Sequence, residues 1–204
     1  LLDDLKNKKA RAASLEAILK NHSNFYAGVK SVLQEADRLG GIVGAVSEKL
    51  SFDSHYQTAL EIALGASSQH IIVEDEGAAT RAIDFLKKNR AGRATFLPLT
   101  TIKARQLPEQ NQSRIEASPG FLGIASELVT YEPSLENIFQ NLLGTTAIFD
   151  TIEHARAAAR QVRYQVRIVT LDGTELRTGG SYAGGANRNN NTIFIKPELD
   201  SLLG

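Results

Sequence analysis

The 204-residue sequence predicts a mixed α/β (α+β) protein: two pseudo-repeated subdomains with mixed sheets and flanking helices, framed by truncated antiparallel coiled-coil arm ends. Three observations carry this. Short apolar runs bounded by glycine alternate with helix-periodic segments, the pattern of layered sheets and helices. The run Gly41-Ile42-Val43-Gly44-Ala45-Val46-Ser47-Glu48 is echoed 79 positions later by Gly120-Phe121-Leu122-Gly123-Ile124-Ala125-Ser126-Glu127, and Leu64-Gly65 recurs at the same offset as Leu143-Gly144. Such self-similarity marks an internal duplication. Finally, Leu1, Leu5, Ala12, Leu15, Leu19 and Tyr26 form a heptad-like stripe with no terminating glycine or proline, as in the end of a longer coiled coil.

Along the chain, residues 1–25 are read as an arm end. A helix from Tyr26 to Leu39 stops at Gly40-Gly41, which can cap it. A buried strand Ile42–Val46 follows, then a helix from about Asp53 to Gly65, strand His70–Val73, helix Asp75–Asn89 and strand Arg93–Leu97. Residues 98–119, rich in Pro, Gln, Asn and Ser, read as a loop, with 108–119 the linker between subdomain 26–107 and subdomain 120–196. In the second copy the Ala-rich helix of Gly77–Leu86 is echoed near Ile152–Val162, and the strand Thr95–Leu97 near Ile168–Leu171. Asp172-Gly173 is a tight-turn signal for a hairpin of Arg167–Leu171 with Thr174–Thr178. A strand Thr192–Lys196 and a helix starting at Pro197, the returning arm over 197–204, complete the expectation.

Composition narrows the function. The chain holds no Cys, which removes disulfides, thiolate zinc sites and a cysteine nucleophile and suits a reducing cytoplasm. No apolar run is long enough to span a membrane. Net charge is zero, but residues 39–150 carry 9 basic and 13 acidic side chains, whereas 151–196 carry 7 basic and 3 acidic. The chain begins at Leu1 and lacks Met, so it reads as a fragment of a longer protein. Asp53-Ser54-His55 juxtaposes triad residue types at a helix start, where a cap is the simpler reading. His70 and His154 lack metal-ligand spacing, and Glu74-Asp75-Glu76 suits a helix dipole. No catalytic residue, metal or cofactor is expected.

The densest signal is Gly179-Gly180-Ser181-Tyr182-Ala183-Gly184-Gly185. Four glycines in seven positions imply positive φ or close backbone approach. A P-loop would need Lys and Ser/Thr where Gly185 and Ala186 stand, and a dinucleotide fingerprint would need Gly at Ser181. A nucleophile elbow needs a later histidine, and all four histidines come earlier. Close approach of another polypeptide fits best, with an anion loop in a small-molecule or nucleotide-binding regulatory module as the alternative and glycines that only shape an internal turn as the plainer reading.

The incoming coiled coil, Tyr26-Ala27-Gly28-Val29-Lys30-Ser31-Val32-Leu33, the duplicated Gly-x-x-Gly units and the paired glycines after Asp172-Gly173 together resemble the hinge of bacterial structural maintenance of chromosomes (SMC) proteins. The resemblance covers essentially the whole chain. It implies a homodimerisation domain joining two arms of a chromosome condensation and segregation ATPase in the cytoplasm, at the nucleoid. The ATPase heads and the contacts to other condensin subunits would lie elsewhere on the parent. In the family a sheet edge of one first subdomain meets the partner's second subdomain. Carried over, the contact is Gly179, Gly180, Ser181, Tyr182, Gly184 and Gly185. The resemblance also implies weak, salt-sensitive DNA binding. Arg188 stands alone where relatives carry a lysine cluster. The other basic candidates are Arg156, Arg160 and Arg163, spaced for one helix face, with Lys196, Lys6, Lys8, Lys9 and Arg11. No aromatic cluster accompanies them in the sequence.

Overall fold

A computed structural model describes residues 2–21 and 25–186, with the side chains of the first helix described over 2–17. The helices are α1 (Leu2–Asn21), α2 (Ala27–Gln34), α3 (Ala36–Leu39), α4 (Gln57–Leu64), α5 (Glu76–Asn89), α6 (Glu109–Glu116), α7 (Glu136–Leu143) and α8 (Ile152–Gln161). The strands are β1 (Ile42–Ala45), β2 (Leu50–Ser51), β3 (Ile71–Val73), β4 (Phe96–Pro98), β5 (Phe121–Ile124), β6 (Thr130–Tyr131), β7 (Thr146–Phe149), β8 (Arg167–Thr170), β9 (Glu175–Leu176) and β10 (Tyr182–Ala183). The expected strand Thr192–Lys196 and the returning helix lie outside the described residues.

Packing divides the chain into two compact units. One holds the described residues of Leu1–Ser54 and Ala66–Ile102, the other those of His55–Gly65 and Lys103–Asn190. The duplication is written into their sheets. In the first unit β1 runs antiparallel to β3, which runs parallel to β4; in the second, β5 runs antiparallel to β7, which runs parallel to β8. Each copy has a register shift at its second glycine, between Ile42 and Gly44 and between Phe121 and Gly123. Gly44 has φ +146° and Gly123 +156°, values that favour glycine and explain why Gly-x-x-Gly appears twice.

Each sheet buries one face under an Ala-rich helix, whose short side chains let it lie close to the strands. In the first unit Ala78, Ala82 and Leu86 of α5 join Val29, Val32 and Leu33 of α2 over Ala45, Ile71 and Val73. In the second, Ala155, Ala158 and Ala159 of α8 pack over Ala147, Phe149 and Ile168. Each fully buried Ile or Leu contributes about 1.5–3 kcal/mol. The helix starts follow capping rules: the Asp75 carboxylate accepts the Ala78 N–H at 2.8 Å, and Thr151 Oγ1 that of His154 at 3.3 Å.

Several expectations change. The helix read over Tyr26–Leu39 is two helices, because the backbone breaks at Glu35 with φ −103°. The helix read from Asp53 starts as a 3₁₀ turn over Ser54–Tyr56 and becomes α-helical only at Gln57. Strand β4 lies later than Arg93–Leu97. The stretch read as a linker contains α6, whose Ile115 is fully buried. In the arm helix Ala12 and Leu15 are buried while Leu2 and Leu5 are exposed, so the stripe is covered only in part.

Helix α4 follows the first Gly-x-x-Gly unit in sequence yet groups with the second unit. Arg167 on β8 explains how it is held there. Its guanidinium donates to the Ala63 carbonyl at 2.7 Å and the Ile62 carbonyl at 2.9 Å, the last turn of α4, and to Glu175 Oε2 on β9 at 2.5 Å. A cation at a helix C-terminus satisfies orphan carbonyls and complements the dipole. Burial pushes the Glu175 carboxyl up, but hydrogen bonds and charge from Arg167 and Arg177 outweigh it and hold the group below the usual glutamate range. A carboxylate whose value falls on folding stabilises above its unfolded value, near 4.5, and that contribution is lost as pH falls through the folded value.

Arg167→Met is expected to lower stability by about 2–4 kcal/mol in urea denaturation, because it takes a donor from the Ile62 and Ala63 carbonyls and from the Glu175 carboxylate. Glu175→Gln is expected to be less stable at neutral pH and to lose less stability than the parent between about pH 5 and pH 3. Equal acid slopes for parent and variant would contradict this assignment.

Candidate functional site

The glycine stretch is a hairpin at the edge of the second unit's sheet. The strand order is β10-β9-β8-β7-β5, so among the described residues β10 is the terminal strand. Two turns deliver it. At the first, Gly173 takes φ +90° and its N–H donates to the Thr170 carbonyl at 2.9 Å. Asp172 locks that turn: it accepts from the Thr170 hydroxyl and from the Thr174 N–H at 3.1 Å, bonds that pull its carboxyl below the usual range. At the second, Gly179 and Gly180 take φ +94° and +106°, and the Gly180 N–H donates to the Arg177 carbonyl at 3.1 Å. These two glycines are therefore required by the turn itself.

The edge has a defined polarity. The Arg177 N–H donates to the Ser181 carbonyl at 2.8 Å, and Ala183 stands opposite Glu175. Bonded pairs alternate along an antiparallel ladder, so Tyr182, between them, turns its N–H and C=O away from β9. A methyl group on Gly179, Gly180 or Gly185 would meet nothing within 4 Å in the described chain, and one on Gly184 would touch Thr174. The backbone here lies bare, with Ser181 and Gly184 exposed. Such an edge is a template for another strand.

An anion loop fits this geometry poorly. The Gly179 N–H is taken by the Tyr164 carbonyl at 2.9 Å and the Gly180 N–H by Arg177, so neither points at a ligand. A cleft of about 390 Å³ beside the hairpin is lined by Glu61, Asp172 and Glu175 as well as Arg177. Arg177 Nε donates to Glu175 Oε1 at 3.0 Å, and three carboxylates against one committed guanidinium disfavour phosphate.

The expected basic residues separate into two groups. Lys6, Lys8, Lys9 and Arg11 are exposed on α1 in the first unit. Arg156 and Arg160 are exposed on α8 in the second, but Arg163 lies beyond the helix end at φ +53°, so the three do not share one helix face. Arg188 and Lys196 lie outside the described residues. The structure also brings together what sequence reasoning missed. Tyr164 and Tyr182 meet with hydroxyls 2.8 Å apart and ring centroids 6.2 Å apart. Arg156 reaches the Tyr182 phenol, whose pKa is raised by the Tyr164 hydrogen bond first and lowered in part by Arg156. Eighteen residues separate the two tyrosines, so only the topology shows the pair.

His154 is not isolated as its sequence context suggested. Its Nδ1 lies 2.8 Å from Asp150 Oδ1, one turn earlier, and that hydrogen bond holds the Asp150 carboxyl below its usual range. The i, i+4 spacing was readable. The first unit's His70 has Nδ1 buried without a partner, and burial pushes its pKa down. Among the described residues no three His, Cys, Asp or Glu side chains gather as a metal site, and no helix is long and apolar enough to cross a membrane.

Comparison with known proteins matches this architecture. The model of the SMC proteins' flexible hinge domain matches residues 39–159. The chromosome partition protein Smc of Bacillus subtilis is 45% identical over 196 residues, covering 96% of this chain and 16% of that protein. The Smc of Lactiplantibacillus plantarum is 44% identical over 95% of this chain and 16% of its own length. This chain thus spans about a sixth of those relatives. A crystal structure of an asymmetric dimer of the Geobacillus stearothermophilus SMC hinge domain superposes with TM-score 0.89 at 40% identity, covering 98% of this chain and 81% of that one. The Pyrococcus furiosus SMC hinge domain superposes at 0.67 with 28% identity, over 91% and 93% of the two chains. With the hinge-domain model matched over residues 39–159 and Smc relatives aligned over nearly all of its length, this chain belongs to the SMC hinge domain family.

Proposed function

We propose that this chain is a non-catalytic homodimerisation hinge that joins two coiled-coil arms of a chromosome-partition ATPase working at the nucleoid, with nucleotide chemistry in distant parts of the parent. The observation that carries the reading is the outward-facing N–H and C=O of Tyr182 on a terminal strand flanked by glycines. The Geobacillus relative, crystallised as a dimer, supports it.

The duplication suggests the acceptor. In the second unit β8 is flanked by β9, whereas among the described residues its counterpart β4 ends the first unit's sheet. The Ile71 N–H donates to the Thr95 carbonyl and the Leu99 N–H to that of Val73, so alternation turns Phe96 outward. Pro98 has no N–H, and its carbonyl already accepts from Thr101 and Ile102. One free residue on β4, Phe96, thus faces one on β10, Tyr182. In a two-fold dimer this contact forms twice and closes a ring.

DNA binding is the second part of the proposal. It rests on the exposed Arg156, Arg160 and Arg163 at and just beyond α8, of which Arg156 reaches the paired tyrosines, with Arg188, Lys196 and the arm residues as further candidates. Two or three phosphate contacts give a slope of log K against log salt of about −2 to −3 on duplex DNA. Replacing Arg156, Arg160 and Arg163 with alanine is expected to bring the slope towards zero. An unchanged slope would move the DNA site elsewhere.

Sedimentation equilibrium tests the dimer edge. The 204-residue chain is expected to be a dimer at tens of micromolar. Tyr182→Ala removes the ring and keeps the outward N–H, so it weakens the dimer. Tyr182→Pro removes that N–H as well, without touching a β9 bond, and is expected to give a folded monomer. A Tyr182→Pro chain that stays dimeric at that concentration would exclude pairing through this edge. Changing all four glycines to alanine is a poorer test, because φ at Gly179, Gly180 and Gly185 is +94°, +106° and +136° and the hairpin itself would strain.

A further inference from the structure

Tyr164 is tied to the glycine hairpin twice. Its carbonyl accepts the Gly179 N–H at 2.9 Å, and its hydroxyl meets that of Tyr182 at 2.8 Å. The ring packs on the second unit's core, and the Tyr164 N–H donates to the Ala159 carbonyl at 2.9 Å, so the residue is fixed to the end of α8. The backbone is held unfavourably to achieve this. Arg163 and Tyr164 are consecutive non-glycine residues at φ +53° and +56°. Left-handed residues of this kind persist only where the surroundings enforce them.

The duplication supplies an internal control. In the first unit the equivalent helix α5 ends with one left-handed residue, Arg90 at φ +47°. No hairpin follows β4 there among the described residues. The second strained residue occurs only in the copy whose sheet continues into β9 and β10. Strand β10 itself is two residues long and among the described residues pairs only with β9, too little to fix its position unaided.

We propose that Tyr164 is a positioning residue for self-association: its carbonyl holds the hairpin tip and its hydroxyl holds Tyr182, so that β10 presents its outward edge in one place. This rests on the reading of β10 as the contact edge. The functional consequence is that dimer affinity is set partly by a residue that needs no contact with the partner, through the order it imposes on the edge.

The test is a double-mutant cycle on the full 204-residue chain with Tyr164→Phe, Tyr182→Phe and both together. Phenylalanine keeps the rings; Tyr164→Phe removes only the shared hydrogen bond, and Tyr182→Phe removes the Arg156 contact with it. Each single variant is expected to raise the dimer Kd about five-fold by sedimentation equilibrium, and the double variant no further. In the same variants the Arg177 N–H, which bonds to Ser181 across the hairpin, is expected to exchange about five-fold faster by NMR, with an unchanged melting temperature. A merely structural role would lower the melting temperature and leave the cycle open. Unchanged Arg177 exchange, an unchanged Kd, or additive losses in the double variant would each overturn the positioning role. If the unmodified chain is itself a monomer at tens of micromolar, the contact-edge reading fails as well. A wild-type dimer insensitive to Tyr164→Phe removes only Tyr164 from the account.

Discussion

Arg167 sits where a helix end, a buried carboxylate and three strands must be reconciled. Its guanidinium caps the last carbonyls of α4 at Ile62 and Ala63 and ion-pairs with Glu175, which is only 8% exposed. Glu175 belongs to β9, and β9 is what β10 pairs with. Without that guanidinium, α4 loses its anchor on the sheet and a mostly buried carboxylate loses its principal counter-charge, a cost borne by the strand that carries the edge. The bare edge at Tyr182 is thus built on a charged, hydrogen-bonded platform rather than on apolar packing alone. The arrangement also orders the chain: a helix encoded in the first repeat completes the unit made mostly by the second.

The duplication accounts for both likeness and difference between the units. Two sheets share the antiparallel–parallel pattern and the glycine register shift, yet among the described residues only one is extended by two further strands. That extension gives the second unit a terminal strand with outward polar groups and leaves the first with a short, open β4. A molecule with two short edges, each offering one outward residue, pairs with a second copy of itself more naturally than with a small ligand. The internal use of the Gly179 and Gly180 amides points the same way.

Much of this was legible in the sequence because glycine marks backbone conformations directly. Gly44, Gly123, Gly173, Gly179 and Gly180 all take positive φ, and their spacing exposed the repeat and the two turns. What stayed hidden lacked a periodic signature. Helix α6 buries Ile115 along an otherwise polar run of Gln, Asn and Glu, so its period never rose above a loop. The break at Glu35 has no Gly or Pro to announce it. A burial pattern says that one face of α4 is covered but not by which repeat, so its place in the second unit was unreadable. The Tyr164–Tyr182 pair depends on where a hairpin folds back, and Arg163 left the helix face because α8 stops two residues earlier.

Whether β10 meets another copy of this chain through the backbone of Tyr182 is read from amide exchange at that one N–H, followed across protein concentration. If the edge is the contact, the Tyr182 N–H exchanges freely in dilute solution and slows in step with dimer formation, while the interior Ile148 N–H on β7 is unaffected. A chain that dimerises with the Tyr182 N–H exchanging at the same rate throughout would place the contact elsewhere on the molecule.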